Sequence, residues 1–332
     1  MASRKWQAAT NVEKILGGCT TIREGVVAKD GDTYYICKSK DWEIATVLEY
    51  DTYDKICLTD GTIVDGEVDA LNKYVCDAKK FRKAENLEIS LDKGCVSYTE
   101  GNEVRKQLSS TRDSVYLCRD GLWNAFIEFV GEYGSLTDSR DGKIYKTVVI
   151  ENHTWMAENL NYSDSTTYWG MRGRSWCYIN SVDSCSKYGR LYSWAAAMDS
   201  AGTFSNKGLN CGYERGCSPK YHVRGICPEG WHLPSIAEWE ALAVAVDNIY
   251  SLQAKGYENW PKATDSYGFT ALPASFASYG TFGYIGTGAQ FWSSTPEDRY
   301  VALRFGLYAN NAALTGKEKT TGLSVRCLKD FN

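Results

Sequence analysis

The residue types that most often carry chemistry are scarce in this sequence. Its 332 residues include only three histidines, His153, His222 and His232. His232 lies between a turn and the start of a helix, where a structural hydrogen bond is a commoner role for a histidine than catalysis. No G-x-S-x-G nucleophile motif occurs, and the sequence places no pair of carboxylates across a cleft. It therefore predicts no catalytic residue, no cofactor and no enzyme.

Composition excludes two further classes of protein and indicates a compartment. Lysine and arginine number 37 against 41 acidic residues, which gives a net charge of −4 and no basic patch for nucleic acid. No run of 18 apolar residues is present, so no membrane insertion is expected of this chain. The twelve cysteines are even in number and regularly spaced. We therefore expect a disulfide framework and an extracellular or outer-cell-surface location.

The first 130 residues contain an internal repeat of about 38 residues. Cys19, Cys57 and Cys95 are evenly spaced, and each is followed by a strand-like segment that ends in a second cysteine. Units this small need a covalent staple, and the spacing supplies one pair per unit, Cys19–Cys37, Cys57–Cys76 and Cys95–Cys118. Zinc is a poor alternative because residues 1–130 contain no histidine and no C-x-x-C. Each unit is predicted to be a small all-β hairpin or three-stranded sheet.

The beginning of the chain repeats the end of the first unit. The segment WQAAT at 6–10 matches WEIAT at 42–46. We interpret it as the last strand of a preceding unit. The expectation is a longer parent protein that carries further repeats upstream together with the signal peptide.

The remainder of the chain predicts a separate α+β domain. Residues 131–139, GEYGSLTDS, have the composition of a linker, and the domain is expected over 140–332. Its clearest local signal is CPEGWHLPSIAEWE at 227–240, a turn followed by a helix that Ser235 and Glu238 cap reciprocally. Trp239 lies on the predicted buried face of that helix. Two helices and a twisted antiparallel sheet with long loops are expected.

The same segment carries a resemblance to known families. The pattern C-x4-H-L-x-S-I-x-x-x-E resembles the start of the second helix in C-type-lectin-like domains. The variant G-W-x-L-P-S-x-x-E-W is closer to the Fibrobacter succinogenes major paralogous domain, and more remotely resembles the formylglycine-generating enzyme fold. Other segments agree with that domain in the same order: 141–162, 187–202, 267–276, 291–295 and 322–330. The resemblance covers about residues 138–330 and implies a C-type-lectin-like fold.

The resemblance also implies pairings and excludes sites. Lectin-like folds join a cysteine near the helix to the last strand, which implies Cys227–Cys327, with Cys177–Cys185 and Cys211–Cys217 closing short loops. The copper-binding cysteine pair of the formylglycine-generating enzymes does not carry over, because only Cys327 lies near the C-terminus. The Glu-Pro-Asn and Trp-Asn-Asp motifs of calcium-dependent lectins are absent. No metal is therefore predicted.

In lectin-like folds the ligand binds on the loops that flank the closing strands. In this chain those loops carry the following candidate ligand-binding residues: Tyr168, Trp169, Arg172, Arg174, Trp176, Tyr284, Tyr308, Asn310 and Asn311. Rings beside arginine and asparagine suit stacking on sugars or recognition of a protein surface. The alternative is that the rings only fill the loops.

These observations lead to a hypothesis and two alternatives. We expect a secreted or surface-displayed, non-catalytic binding and adhesion module whose partner is a polysaccharide, with plant cell wall the favoured source, or another surface component. The first alternative is a structural or assembly protein of the cell envelope or of an extracellular fibre, with a protein partner. An enzyme of the formylglycine-generating type ranks last.

Overall fold

The computed structural model describes residues 10–163, 174–283 and 285–331. Its internal contacts divide the chain into two compact units. One unit extends to Lys106 and includes Val115–Phe126, and the other combines Gln107–Ser114 with the chain from Ile127 onward. The division thus falls within the third repeat, whereas the sequence had placed the array over 1–130. We refer to the first unit as the array and to the second as the head.

Each repeat begins with a six-residue helix: α1 (Asn11–Leu16), α2 (Val47–Thr52) and α3 (Asn86–Leu91). Thr10 caps α1 by accepting a hydrogen bond from the Glu13 amide, and the Glu13 carboxylate accepts one from the Thr10 amide. Thr46 and Glu49 repeat this arrangement at α2. The expectation of all-β repeats was therefore wrong. The T-x-x-E capping boxes are visible in the sequence, and they satisfy amides that a first helical turn leaves unpaired.

After its helix, each repeat forms an antiparallel three-stranded sheet in simple sequence order. The strands are β1 (Val27–Asp30), β2 (Thr33–Lys38), β3 (Asp41–Ile44), β4 (Ile63–Asp65), β5 (Lys73–Asp77), β6 (Lys80–Lys83), β7 (Glu103–Gln107), β8 (Arg112–Arg119) and β9 (Leu122–Phe129). The disulfides Cys19–Cys37, Cys57–Cys76 and Cys95–Cys118 each join the loop before a sheet to its central strand. Cys37, Cys76, Cys95 and Cys118 are at most 1% exposed, so the staples are part of the small core of each repeat.

A partly buried ion pair joins the second repeat to the third. Arg82 of β6 donates two hydrogen bonds of 2.8 Å to the Glu88 carboxylate of α3. Glu88 also accepts from the Cys95 amide at 2.8 Å and from the Glu85 amide at 2.9 Å. Arg82 donates a further bond to the Cys95 carbonyl at 3.1 Å. All these groups lie in the array, so consecutive repeats are held by a polar network as well as by the chain.

The described residues of the head form two larger antiparallel sheets and two sheets of two short strands each. Its strands are β10 (Gly134–Thr137), β11 (Ile144–Ile150), β12 (His153–Met156), β13 (Ser175–Trp176), β14 (Leu191–Tyr192), β15 (Trp231–His232), β16 (Ala277–Ser278), β17 (Thr281–Phe282), β18 (Gly288–Pro296), β19 (Val301–Tyr308), β20 (Ala312–Glu318) and β21 (Leu328–Lys329). One sheet has the order β10-β11-β12-β21-β15 and the other β18-β19-β20. Strand β10 lies inside the predicted linker 131–139, because residues 134–137 pair in register with β11.

The described part of the head contains three α-helices rather than the two expected: α4 (Val182–Tyr188), α5 (Trp194–Ala197) and α6 (Ile236–Ala245). The capping box of Ser235 and Glu238 starts α6 as predicted. Trp239 is fully buried and stacks on Phe291 and Phe305 at 5.4 and 5.1 Å. The helix is thereby fixed on the β18-β19-β20 sheet. Within the described ranges, no helix has the length and apolar character needed to cross a bilayer.

Three disulfides complete the head, Cys177–Cys185, Cys211–Cys217 and Cys227–Cys327, so all twelve cysteines form the six pairs that were expected. Cys227–Cys327 closes 100 residues and joins the segment before β15 to the segment before β21. In the chain-entropy model a loop of this length stabilises the fold by about 4.7 kcal/mol. The mixed architecture agrees with the expected α+β class.

Candidate functional site

A cleft of about 600 Å³ opens on the head among polar, aromatic and basic side chains. Its lining consists of Arg174, Trp176, Ser193, Ala195, Ser200, Ala201, Leu209, Asn210, Gly212, Tyr213, Arg215, Lys319 and Thr320. Pockets that bind small ligands commonly have volumes of about 300–1,000 Å³. This cleft therefore has the size of a binding site for one or two sugar rings.

Three short elements and one stapled loop build the cleft. Strand β13 contributes Trp176, the first turn of α5 contributes Ala195, and the chain leaving β20 contributes Lys319. The loop after α5 contributes Ser200, Ala201, Leu209, Asn210, Gly212, Tyr213 and Arg215, and the disulfide Cys211–Cys217 closes its end.

The buried carboxylate of Asp199 holds the beginning of that loop. It accepts hydrogen bonds from the amides of Thr203, Phe204 and Ser205 at 2.8, 2.6 and 2.9 Å. The Asn210 amide bonds the Ser200 carbonyl at 2.9 Å. The loop is therefore fixed at both ends, as a preformed binding site requires.

The two aromatic residues of the cleft differ in exposure. Trp176 is half-buried, and its ring lies so close to Gly322 that an added Cβ there would meet it at 2.8 Å. Tyr213 is 40% exposed and contacts the edge of Tyr300 at 5.4 Å. Tyr213 is thus the ring that a ligand can reach, whereas Trp176 forms part of the wall.

The three basic residues of the cleft also differ in exposure. Lys319 is buried over the Trp194 ring at 4.5 Å, and its ammonium donates to the carbonyls of Asp298 and Arg215 at 2.7 and 3.2 Å. Burial lowers the pKa of Lys319 below its ordinary value. Arg215 is exposed and donates one bond to the Asn210 side chain at 3.3 Å. Lys319 therefore supports the wall, while Arg215 and the half-buried Arg174 can meet a ligand.

The described lining residues include three cations and no carboxylate. A guanidinium can bind a carboxylate through two parallel hydrogen bonds, and an exposed ring can cover one face of a planar or cyclic ligand. The Asn210 amide adds both a donor and an acceptor for hydroxyl groups. The arrangement is therefore suited to an anionic, hydroxyl-rich ligand.

A second cleft, of about 540 Å³, lies on the array and has a different charge pattern. Arg82 is the basic residue among its lining, and that guanidinium already bonds Glu88 and Asp77. Glu85, Glu100 and Asp120 also line it. Because its cation is already paired and its remaining charges are negative, we favour the cleft on the head.

The structure brings only part of the predicted site together. Arg174 and Trp176 line the cleft on the head. Tyr308 ends β19, and Asn310 and Asn311 form the exposed turn before β20. The cleft begins at the opposite end of β20, and a seven-residue strand spans about 20 Å. These two groups therefore do not form one site. Tyr168, Trp169, Arg172 and Tyr284 lie outside the described residues.

Sequence reasoning missed Asn210, Tyr213 and Arg215, which lie in one loop of the cleft. The signal in the sequence was the pair Cys211 and Cys217, which are six positions apart and flank Tyr213 and Arg215. A stapled loop that carries an exposed ring and an exposed guanidinium is a marker of a recognition surface.

Comparison with known proteins identifies a domain family. The family model described as the Fibrobacter succinogenes major domain matches residues 148–329. These residues comprise β12 to β21 with the end of β11, and they include every residue that lines the cleft. Neither the curated proteins nor the solved structures yield a match.

Proposed function

The chain belongs to the Fibrobacter succinogenes major domain family, and on that premise we propose that it is a non-catalytic binding module of the cell surface or the extracellular space. The head recognises an acidic polysaccharide through the cleft, and the disulfide-stapled array displays it. The observation that carries this proposal is the convergence of Arg174, Arg215 and Tyr213 in a preformed cleft whose described lining has no carboxylate.

Two further features support the proposal. Six disulfides are typical of proteins that fold in an oxidising compartment. In the head, the last strand β21 pairs between β12 and β15, and Cys227–Cys327 fixes that closure. We take this closure as support for a C-type-lectin-like fold, in which loops rather than the sheets carry the ligand.

The experiment compares polymers of equal backbone but different charge. The full chain is titrated by calorimetry with polygalacturonate and with its fully methyl-esterified form. We expect binding to the acidic polymer, weaker binding at high salt because exposed charges are screened, and little binding to the ester. No binding to either, or equal binding to both, contradicts the proposed ligand.

Two variants locate the interaction. Arg215→Gln removes an exposed charge from the cleft and should weaken binding about tenfold or more, since hydrogen bonds to charged groups contribute about 1.5–3 kcal/mol. Arg119→Gln, at an exposed arginine that ends β8 in the array, is the matched control and should leave affinity unchanged. If both variants bind equally well, the cleft on the head is not the binding site.

A second function, as a structural or assembly protein, is favoured by the surface of the array. Several large aliphatic side chains there are at least 70% exposed, namely Ile22, Ile44, Ile56, Leu58 and Leu71. Exposed apolar groups of this kind often mark contacts between proteins. Concentration-dependent self-association measured by light scattering, combined with the absence of glycan binding, would favour this function over the first.

A further inference from the structure

Two histidines and one carboxylate lie together in the head, outside the cleft. One ligand atom from each of His222, His232 and Glu238 lies within 4.8 Å of the other two. His232 Nε2 is 3.1 Å from Glu238 Oε1, and His222 Nε2 is 4.0 Å from the same oxygen. Ligand atoms around a tetrahedral zinc ion, with bonds of about 2.0–2.1 Å, are about 3.3 Å apart. The cluster is therefore close to the size of a metal site.

Neighbouring groups fix the orientation of two of these side chains. Glu238 Oε2 accepts hydrogen bonds from the Ser235 amide and hydroxyl at 2.7 and 2.8 Å, which leaves Oε1 directed at the histidines. His232 Nδ1 lies 2.6 Å from Asp330 Oδ1, which leaves Nε2 directed at Glu238. A carboxylate behind a histidine is the usual outer partner of a metal-binding imidazole, because it fixes the ring and its tautomer.

From this geometry we propose that His222, His232 and Glu238 bind a divalent transition-metal ion, zinc by preference, and that Asp330 orients His232 as an outer partner. Two imidazole nitrogens and one oxygen suit zinc, whereas calcium and magnesium favour sites made entirely of oxygen. Three protein ligands leave a fourth position for water. The proposal is independent of glycan binding.

Metal binding requires one local rearrangement. The rings of His222 and His232 stack at 4.5 Å with an angle of 16°, so their nitrogen lone pairs are nearly parallel rather than convergent. The His222 side chain is 27% exposed and outside regular structure, while that of His232 is only 2% exposed. His222 is therefore the ligand that tilts toward the ion.

The surroundings of the cluster favour a cation and give it access to solvent. Glu238 and Asp330 contribute two negative charges, and Lys207 contributes one positive charge near His222. Tyr221, which is 70% exposed, donates to Glu238 Oε1 at 3.2 Å and covers the outer side. Displacement of this hydroxyl opens a path for the ion and its water.

The position of the cluster explains what an ion would do. His232 belongs to β15, Glu238 to the first turn of α6, and Asp330 follows β21. The disulfide Cys227–Cys327 joins the same two segments of chain. A bound ion would add the His222 loop to this junction and act as a second staple. A second cluster of ligand-type residues in the described part of the chain, Cys57, Asp60 and Cys76, does not offer a metal site because its two sulfurs form a disulfide.

The test is zinc binding by the full, tag-free chain after treatment with a chelator. Free thiols are absent, so binding reports on imidazole and carboxylate ligands. We expect one zinc ion per chain by calorimetry, a higher melting temperature with zinc, no such rise with calcium, and visible absorption bands of four-coordinate geometry with cobalt(II).

Three variants assign the ligands. His222→Gln removes a ligand whose side chain is 27% exposed, and should weaken zinc binding more than about a hundredfold while leaving the melting temperature of the metal-free chain unchanged. Asp330→Asn should weaken it about 10–100-fold, as outer partners do. His153→Gln, which changes the one histidine outside the cluster, should bind zinc with the same affinity as the parent chain. Absence of saturable zinc binding by the parent chain, or undiminished binding by His222→Gln, would overturn the proposal.

Discussion

Replacement of Arg82 by alanine should open the junction between the second and third repeats of the array. The variant leaves the Glu88 carboxylate, whose side chain is 3% exposed, without its cation. Breaking a buried ion pair by removing one partner costs about 3–5 kcal/mol. Arg82 is 34% exposed, so water reaches the vacated space, and Glu88 retains two amide donors. We therefore expect the lower end of that range, about 3 kcal/mol.

Hydrogen exchange followed by mass spectrometry resolves this change within the full chain. The Cys95 amide is bound to Glu88, and the peptide 85–96 contains both. A loss of about 3 kcal/mol corresponds to exchange that is about a hundredfold faster in this peptide, since each 1.4 kcal/mol is a factor of ten. Peptides from β19 in the head should exchange as in the parent.

Two comparisons make the result decisive. Lys73→Ala removes the cation of a more exposed pair with Asp65 in the same repeat, and should change exchange less than about fivefold. Adding Glu88→Gln to Arg82→Ala should restore part of the protection, because it removes the unpaired charge. If exchange in peptide 85–96 changes less than tenfold in Arg82→Ala, the ion pair does not hold the repeats together and the reasoning fails.

Two further predictions concern the stability of the head. Burial raises the pKa of the Asp265 carboxyl to about 6 from 3.8, so the folded state binds the carboxyl proton more tightly than the unfolded state does. The protonated carboxyl therefore stabilises the fold fully below about pH 4, and this stabilisation, up to about 3 kcal/mol, is lost as the pH rises through 6. Asp265→Asn should therefore unfold at a higher temperature than the parent at pH 7, and its melting temperature by calorimetry should change less between pH 4 and 6. An unchanged dependence of the melting temperature on pH would refute Asp265 as its cause. Trp239→Ala should lower the free energy of unfolding by about 3–5 kcal/mol in denaturant titration. Val244→Ala, at a position 80% exposed on the same helix, should change that free energy by less than about 0.5 kcal/mol. Equal effects of the two substitutions would contradict the burial of Trp239.

Local signals in the sequence predicted much of the framework. The even spacing of Cys19, Cys57 and Cys95 indicated three stapled units because a short chain with little core depends on such bonds. The turn, proline and capping box around Ser235 predicted helix α6 and the burial of Trp239 because cap and apolar periodicity agree there. Features that depend on residues close together in the sequence could thus be predicted.

Very short helices, and features that depend on contacts distant in sequence, were not predicted. The helices of the repeats were overlooked although Thr10–Glu13 and Thr46–Glu49 spell capping boxes, because six residues give no apolar periodicity to support a helix. Strand β10 reads as a linker by composition and becomes a strand only by pairing with β11. The same holds for the cleft, which Arg174 and Arg215 line from different loops, and for His222 and His232, which both lie close to Glu238. Convergence of loops leaves no periodic signal in the chain.

The most direct test of the central claim is a crystal structure of the chain with a bound galacturonate oligosaccharide. We predict a sugar ring over Tyr213, with its carboxylate within hydrogen-bonding distance of Arg215 or Arg174. A sugar bound instead at the turn of Asn310 and Asn311, or crystals that bind none at saturating concentration, would contradict the assignment of the cleft as the recognition site.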